Sequence, residues 1–334
     1  MITIDQVKHI ELELSSYCNA SCPLCPRNLF GYEKIDLGYT KKHLTLDEIK
    51  KIFNKKFLKQ IENFTFEGNF GDPLMNPELL PIVEYLNTPI DIFTNASLQD
   101  EKFWKTLAKY PVTVYFALDG LEDTHIIYRR NTDYNKILNN AKAFISSGGN
   151  AVWKMIKFEH NKHQVSAAES LSKDLGFSKF ELVDHGRNSG PVFDRDGNLE
   201  RVLGNFSGST ELSHYTDIIQ YGDMLIEDID DQIKESVKCI SLTNNSIYIS
   251  STGNVYPCCF MGFSPNTYGH GRWHQPVNKQ ISALVSKNNA LEYSLAECIE
   301  WFNLIPGCWN KKTFDDGRLI VCDASCGSKL EKLF

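Results

Sequence analysis

At 334 residues, 42% hydrophobic and 23% charged, the chain is too ordinary in composition for broad disorder and long enough for one large domain beside a smaller one. Its net charge of −7 makes a nucleic-acid partner unlikely, no apolar run reaches the roughly 18 residues of a membrane span, and Met1 to Val7 lacks the basic-then-apolar design of a signal peptide. A cytoplasmic protein is expected, whose ten cysteines serve as thiolate ligands or reduced thiols and not as a disulfide scaffold.

Strands are predicted at 8–14, 61–67, 90–95, 112–118, 151–158 and 179–184, and helices at 46–57, 77–87, 100–109, 134–147 and 164–175. The intervals are long enough for crossover helices, so the strands should run parallel. Thr45-Leu46-Asp47-Glu48 has capping-box spacing, and Pro77 suits the start of the second helix. Within the strands one parity is apolar and the other polar: Ile10, Leu12 and Leu14 alternate with His9, Glu11 and Glu13, and Val114 and Phe116 with Thr113 and Tyr115. A parallel sheet covered on both faces reads as continuous Val, Ile and Leu, so here one face meets water or ligand. Six β/α units curved into an incomplete barrel with a polar interior satisfy this; an open doubly wound sheet with solvated strand ends is the alternative.

Directly after the first strand comes Ser15-Ser16-Tyr17-Cys18-Asn19-Ala20-Ser21-Cys22-Pro23-Leu24-Cys25-Pro26-Arg27, with cysteines spaced C-x3-C-x2-C. Three thiolates on one short loop cover one face of a metal centre and leave a fourth position open. Structural zinc takes four ligands, whereas iron-sulfur clusters are held by cysteine, so the loop reads as a cluster site with one open iron. A zinc knuckle borrowing a distant cysteine and a disulfide framework are the alternatives.

This loop resembles the signature of the radical SAM superfamily. The resemblance implies a partial (β/α)6 barrel, a 4Fe-4S cluster on Cys18, Cys22 and Cys25, and S-adenosylmethionine (SAM) chelated by the open iron. One electron would then cleave SAM to methionine and a 5'-deoxyadenosyl radical, with the protein supplying binding and orientation. Leu24 departs from the aromatic residue common before the third cysteine. The aperiodic stretch Asn28 to Thr40 is a candidate lid.

Farther along, Glu67-Gly68-Asn69-Phe70-Gly71-Asp72-Pro73 forms a tight turn at a strand end, expected to expose backbone carbonyls and one carboxylate to a cation. Gly71, Asp72 and Pro73 resemble the family's glycine-glutamate-proline motif, whose backbone receives the cofactor's amino group, with Asp in place of the commoner Glu; Asn69 falls at a substrate-facing position of some relatives. Asn95 ends the third strand, where it could approach the ribose. Ala117-Leu118-Asp119-Gly120 resembles a Ser-x-Asp-Gly motif that is followed by a His and an Arg, here His125 and Arg129, and by that resemblance Asp119 and Arg129 bind the cofactor, the Arg at its carboxylate. Substrate-pocket candidates at the ends of the fifth and sixth strands are Lys157, Asn161, His185 and Arg187, and periodicity does not say which of Lys154 and Lys157 faces inward.

From 188 to about 235 the pattern breaks into Gly, Pro, Ser and acidic punctuation and reads as a linker. Beyond it, Ser246-Ile247-Tyr248-Ile249-Ser250 and Asn254-Val255-Tyr256 flank Thr252-Gly253, a hairpin signal that brings Cys239 near Cys258. The pattern Cys239-x13-Gly253-x4-Cys258 resembles the start of a SPASM or twitch extension. The dense cysteine block of full SPASM is missing, which favours one auxiliary 4Fe-4S cluster on Cys239, Cys258, Cys322 and Cys326, with Cys308 as the rival fourth ligand and zinc as the rival metal. Cys259 and Cys298 are expected to pack as small apolar residues.

The expected organisation is α/β: a radical SAM core at 1–190, a linker at 191–235 and a small β-hairpin-plus-helix iron-sulfur domain at 236–334. The function the resemblance implies is hydrogen abstraction from a peptide, protein or small-molecule substrate, first in peptide or protein modification and next in carbohydrate oxidation, with an electron donor such as flavodoxin or ferredoxin. The competing class is a non-catalytic zinc- or iron-sulfur-binding interaction or electron-transfer protein. No catalytic side chain is assigned.

Overall fold

The computed structural model describes residues 2–34, 39–184, 189–214, 237–263 and 274–327. Six parallel strands form in the predicted places: β1 (His9–Leu12), β2 (Asn63–Phe66), β3 (Ile90–Thr94), β4 (Val112–Ala117), β5 (Asn150–Ile156) and β6 (Lys179–Val183). They pair in sequence order, β1 with β2 through to β5 with β6, every pair parallel. Between them run helices α1 (Leu46–Ile52), α2 (Lys55–Leu58), α3 (Leu79–Leu86), α4 (Glu101–Leu107), α5 (Glu122–Tyr128), α6 (Tyr134–Ser146) and α7 (Val165–Asp174).

Strand order decides between the two architectures. A doubly wound sheet reverses its order at a switch point, whereas consecutive right-handed crossovers lay every helix on the same face. Burial agrees: Ile10, Leu12, Phe64, Phe66, Ile92, Val114, Phe116, Trp153 and Met155 lie in one core, and the opposite parity is only partly covered. Each fully buried large side chain contributes about 1.5–3 kcal/mol. The sheet does not close, because β6 lies at one end and β10 at the other.

Several local expectations shift. The single helix expected at 46–57 divides, because the Asn54 side chain accepts from the backbone N–H of Lys56 and Phe57 and starts a new helix there. The capping box at Thr45 and Glu48 forms as read. Pro77 precedes its helix, which begins at Leu79 after the Asn76 side chain takes the Glu78 N–H. Helix α5, unforeseen, sits between Asp119 and Arg129.

Two hairpins complete the molecule. β9 (Ser246–Ile249) and β10 (Val255–Tyr256) pair antiparallel around Gly253 at φ +87°, as predicted, and β9 then adds in parallel to the outer edge of β1. That edge would otherwise present unpaired backbone groups. Part of the stretch read as linker is instead β7 (Gly190–Phe193) paired with β8 (Leu199–Leu203), turned by Asp194, whose carboxylate accepts from Asp196 and Asn198 N–H. Phe193 N–H donates to the Phe30 carbonyl at 2.8 Å, and Arg130 pairs with Glu200, so the hairpin packs on the cysteine loop in a second small core with Cys22, Leu24 and Tyr128. Turn residues mark where the chain reverses, and they look alike in a linker and in a hairpin. Among the described residues no helix is long and apolar enough to cross a membrane.

Candidate functional site

The cysteine loop, the Gly68 to Pro73 turn, Asn95 and Asp119 each follow the C-terminal end of a parallel strand, β1 to β4 in turn, where ligands collect in such sheets. The loop is folded by its own backbone: Cys25 N–H donates to the Cys22 carbonyl at 3.0 Å, Asn28 Nδ2 to the same oxygen at 2.9 Å, and Arg27 Nη2 to the Ala20 carbonyl at 2.6 Å. Donors surround the thiols. Ala20 N–H lies 3.4 Å and Asn95 Nδ2 3.7 Å from Cys18 Sγ, and Arg129 Nη1 lies 3.9 Å from Cys22 Sγ.

Burial pushes the Cys18 and Cys22 thiols up; Asp72 and the neighbouring cysteines add to this, while Arg27 opposes it for Cys18 and Arg129 for Cys22. Three mutually interacting thiols, none in a disulfide, therefore want more positive charge than two arginines bring. A metal centre supplies that charge and holds cysteine as thiolate, so the donor set fits an iron-sulfur cluster.

The neighbouring turn is locked to this loop. Asp72 N–H donates to the Tyr17 carbonyl at 2.8 Å, and a Cβ on Gly71 would stand 1.9 Å from the Ser15 carbonyl oxygen, so only glycine fits. The carboxylate of Asp72 does not face a cation as the sequence suggested. It is 3% exposed and accepts from Leu74 N–H, Thr94 Oγ1, Asn95 N–H and Asn95 Nδ2 at 2.6–2.9 Å. Burial raises its pKa while these donors oppose the rise. Its acid thus caps the Pro73–Met75 turn and ties β2's end to β3's end, leaving backbone as what the turn can offer a ligand. Asn95 bridges Asp72, Asn19 and Cys18.

At the end of β4, Asp119 is fully buried and accepts from Arg129 Nε at 2.6 Å and from Ile156 N–H at 2.6 Å. Burial works against the Arg129 charge, but Asp119 and Cys22 outweigh it and hold the guanidinium charged. His125 accepts from Asp119 N–H at Nδ1, so its proton is on Nε2, facing Thr132 Oγ1, which in turn donates to the Arg129 carbonyl. Burial, with Arg129 beside it, pulls the pKa of His125 down to about 3. The histidine is a neutral brace for the arginine.

The pocket candidates separate. Asn161 is fully buried and spends its side chain on Phe158 N–H and the Ile156 and Asp119 carbonyls, a loop-bracing role instead of a pocket one. Lys157 pairs with Asp184 near the surface. Lys154 is the inward lysine, with Nζ 4.7 Å from the Phe93 ring centre and 3.0 Å from Glu181, above the stacked Phe93 and Tyr115 rings. His185 and Arg187 lie outside the described residues.

The second cysteine set also converges. Cys239, Cys258, Cys322 and Cys326 line one cavity with Phe302 and Ser325. Lys238 N–H donates to the Cys326 carbonyl at 3.1 Å, and Cys322 and Cys326 share a face of the helix Ile320–Cys326. Arg318, 4% exposed, grips Asp323 of that helix through two bonds of 2.7 and 2.8 Å. Burial pushes Cys258 up to about 12, and Cys239 and Cys322 up as well. Ser325 Oγ and Trp309 Nε1 are buried with no hydrogen-bond partner. Four thiols beside orphaned donors fit a four-iron cluster, whose sulfurs accept hydrogen bonds. Cys308 turns aside, its Sγ 3.6 Å from the Leu304 carbonyl, and Cys298 is buried in the core. Cys259, expected as packing, instead meets Glu11 and Glu67 on the polar face. Burial first, then Glu67, raises the Glu11 carboxyl to about 8. The sequence showed Glu11 and Glu13 only as polar members of an alternation, and nothing in it marked their partners.

Residues 12–158 match the sequence profile of the Radical SAM superfamily. A "Tungsten-containing aldehyde ferredoxin oxidoreductase cofactor-modifying protein" of Pyrococcus furiosus is 28% identical over 119 residues, 34% of this chain and 32% of that protein. The "Radical SAM cyclopropyl synthase TigE" of Paramaledivibacter caminithermalis is 22% identical over 288 residues, 77% of this chain and 58% of its own. This chain therefore spans less than two thirds of either relative. Among solved structures, Streptococcus suis SuiB bound to S-adenosylmethionine superposes with TM-score 0.55 at 15% identity over 95% of this chain and 77% of SuiB. The enzyme anSMEcpe with bound AdoMet gives 0.56 at 18% identity over 96% of this chain and 86% of its own. The segment that builds the three-thiol loop, its glycine turn and the Asp119–Arg129 pair is a radical SAM superfamily domain.

Proposed function

We propose that the protein is a radical SAM enzyme that reductively cleaves S-adenosylmethionine and abstracts hydrogen from an organic substrate, in peptide or protein modification. The supporting observation is the convergence of Cys18, Cys22 and Cys25 with the Gly71 turn and Arg129 at one end of the sheet. A 4Fe-4S cluster held by those three thiols supplies the electron that splits SAM into methionine and a carbon radical. Around it, Ala20 N–H and Asn95 Nδ2 donate toward Cys18, and Arg129, anchored on Asp119, is aimed to receive the carboxylate of SAM. Asp72 acts by ordering the turn, whose backbone is assigned to the cofactor's amino group, and Asn95 is assigned to the ribose side.

From residue 236 onward the chain is read as the auxiliary module, with Cys239, Cys258, Cys322 and Cys326 holding a second 4Fe-4S cluster and Ser325 and Trp309 donating to it. The peptide class is supported by the fold relatives, since SuiB was solved bound to the precursor peptide SuiA and anSMEcpe with the Cp18Cys peptide. Carbohydrate oxidation is next, and the electron donor is assigned to a flavodoxin or ferredoxin.

Anaerobic reconstitution should yield a brown protein with about eight irons per chain. Adding dithionite and SAM should release 5'-deoxyadenosine. Replacing Cys18, Cys22 and Cys25 together by Ala should remove about half the iron and all of the cleavage. A colourless zinc protein that leaves SAM intact would return the chain to the non-catalytic binding class.

A further inference from the structure

A carboxylate that no motif announces lies beneath the three-thiol site. Glu13, just past β1, is wholly buried, yet both of its oxygens are engaged. One accepts from Phe70 N–H at 2.5 Å, inside the Gly68 to Pro73 turn. The other accepts from the hydroxyl of Tyr248 at 2.8 Å, a residue of β9 that is 235 positions away in sequence. Tyr248 is itself fully buried, and its ring lies so close to Gly262 that a Cβ there would stand 2.3 Å from it. Gly262 belongs to the helix Cys259–Phe263, and its N–H donates to the Cys258 carbonyl. A continuous set of contacts therefore runs from the segment bearing Cys258, through Tyr248 and Glu13, to the turn packed on Ser15 and Tyr17.

Burying a carboxyl group in an apolar core is costly unless its bonds are used. A filler of similar volume would have closed the space without that cost. What the acid adds is direction, since it holds Phe70 N–H from one side while Tyr17 holds Asp72 N–H from the other, and between them Gly71 has no freedom to shift. We infer that Glu13 and Tyr248 are a positioning pair that sets the register of the Gly68 to Pro73 turn for S-adenosylmethionine and makes that register depend on the hairpin preceding Cys258. The inference rests on the radical SAM reading of the three-thiol site and adds residues that lie outside its motifs.

The test compares wild type, Tyr248→Phe, Glu13→Gln and the double variant, each as the anaerobically reconstituted full chain, by equilibrium binding of SAM. Tyr256→Phe is the control: it removes a hydroxyl from the same hairpin, one bonded to Asn288 and not to the turn. Each single variant should raise the Kd for SAM about tenfold with iron content and far-UV circular dichroism unchanged. The double variant should be no weaker than the weaker single, because the two groups act as one unit. The control should stay within twofold. The change that SAM induces in the electron paramagnetic resonance spectrum of the reduced cluster should be diminished in the same variants. A Kd within twofold of wild type for both single variants overturns the pairing, as does weakened binding that tracks lost iron or lost helix. Wild type that takes up iron but binds no SAM overturns the enzyme reading along with it.

Discussion

Truncating Asp72 to alanine tests whether the turn is held by its buried acid. The carboxylate is 3% exposed and accepts from the Leu74 and Asn95 backbone N–H groups, Thr94 Oγ1 and Asn95 Nδ2. Asn95 Nδ2 keeps Asn19 Oδ1 as a partner at 3.0 Å, so truncation orphans three donors. At about 1–2 kcal/mol each, the loss is roughly 3–5 kcal/mol, of which about 1–2 is recovered by no longer burying a carboxylate. A net cost of about 3 kcal/mol lowers Tm by roughly 6–12 °C in a domain of 150–250 residues, and somewhat less in a longer chain. Thermal melts of the reconstituted protein at pH 7.5, followed by circular dichroism, measure it. Asp72→Asn retains one acceptor oxygen and should fall about midway. Asp72→Ala melting within 1 °C of wild type, or above it, would refute the argument that this acid clamps β2 to β3.

Three further outcomes follow from the geometry. Gly71→Ala places a methyl 1.9 Å from the Ser15 carbonyl, where no side chain can rotate away, so the cysteine loop must move and iron bound through Cys18, Cys22 and Cys25 should fall by half or more in a metal assay. Cys322→Ala should lower iron content, whereas Cys308→Ser should leave it unchanged; the reverse order would make Cys308 the ligand. His125 binds its proton near pH 3 when folded and near 6.5 when unfolded, so its contribution to stability is complete above 6.5 and declines as pH falls toward 3. That decline amounts to about 2 kcal/mol by pH 5, and His125→Gln should lose correspondingly less on going from pH 7 to pH 5 in chemical denaturation. Equal losses in the two proteins would show that the ring is not held neutral.

The sequence by itself carried the α/β class, the places of β1 to β6, the three-thiol loop and the hairpin at Gly253. Each of these is written in neighbouring residues: alternation along a strand, the spacing of thiols on one loop, a glycine at positive φ. Even the single winding of the sheet was implicit, since Glu11, Thr113 and Lys154 on one parity are incompatible with helices on both faces.

Only the tertiary structure decided the rest. The bond between Glu13 and Tyr248 and the cavity shared by Cys239, Cys258, Cys322 and Cys326 join residues whose spacing along the chain has no fixed physical meaning until the sheet is assembled. The same holds for Asn161, a polar residue at a strand end that turned inward to brace a loop, and for Asp72, whose acid is consumed by its own neighbours. A polar side chain can satisfy a ligand or the backbone equally well, and which of these it does depends on the donors and acceptors that folding brings within 3 Å of it.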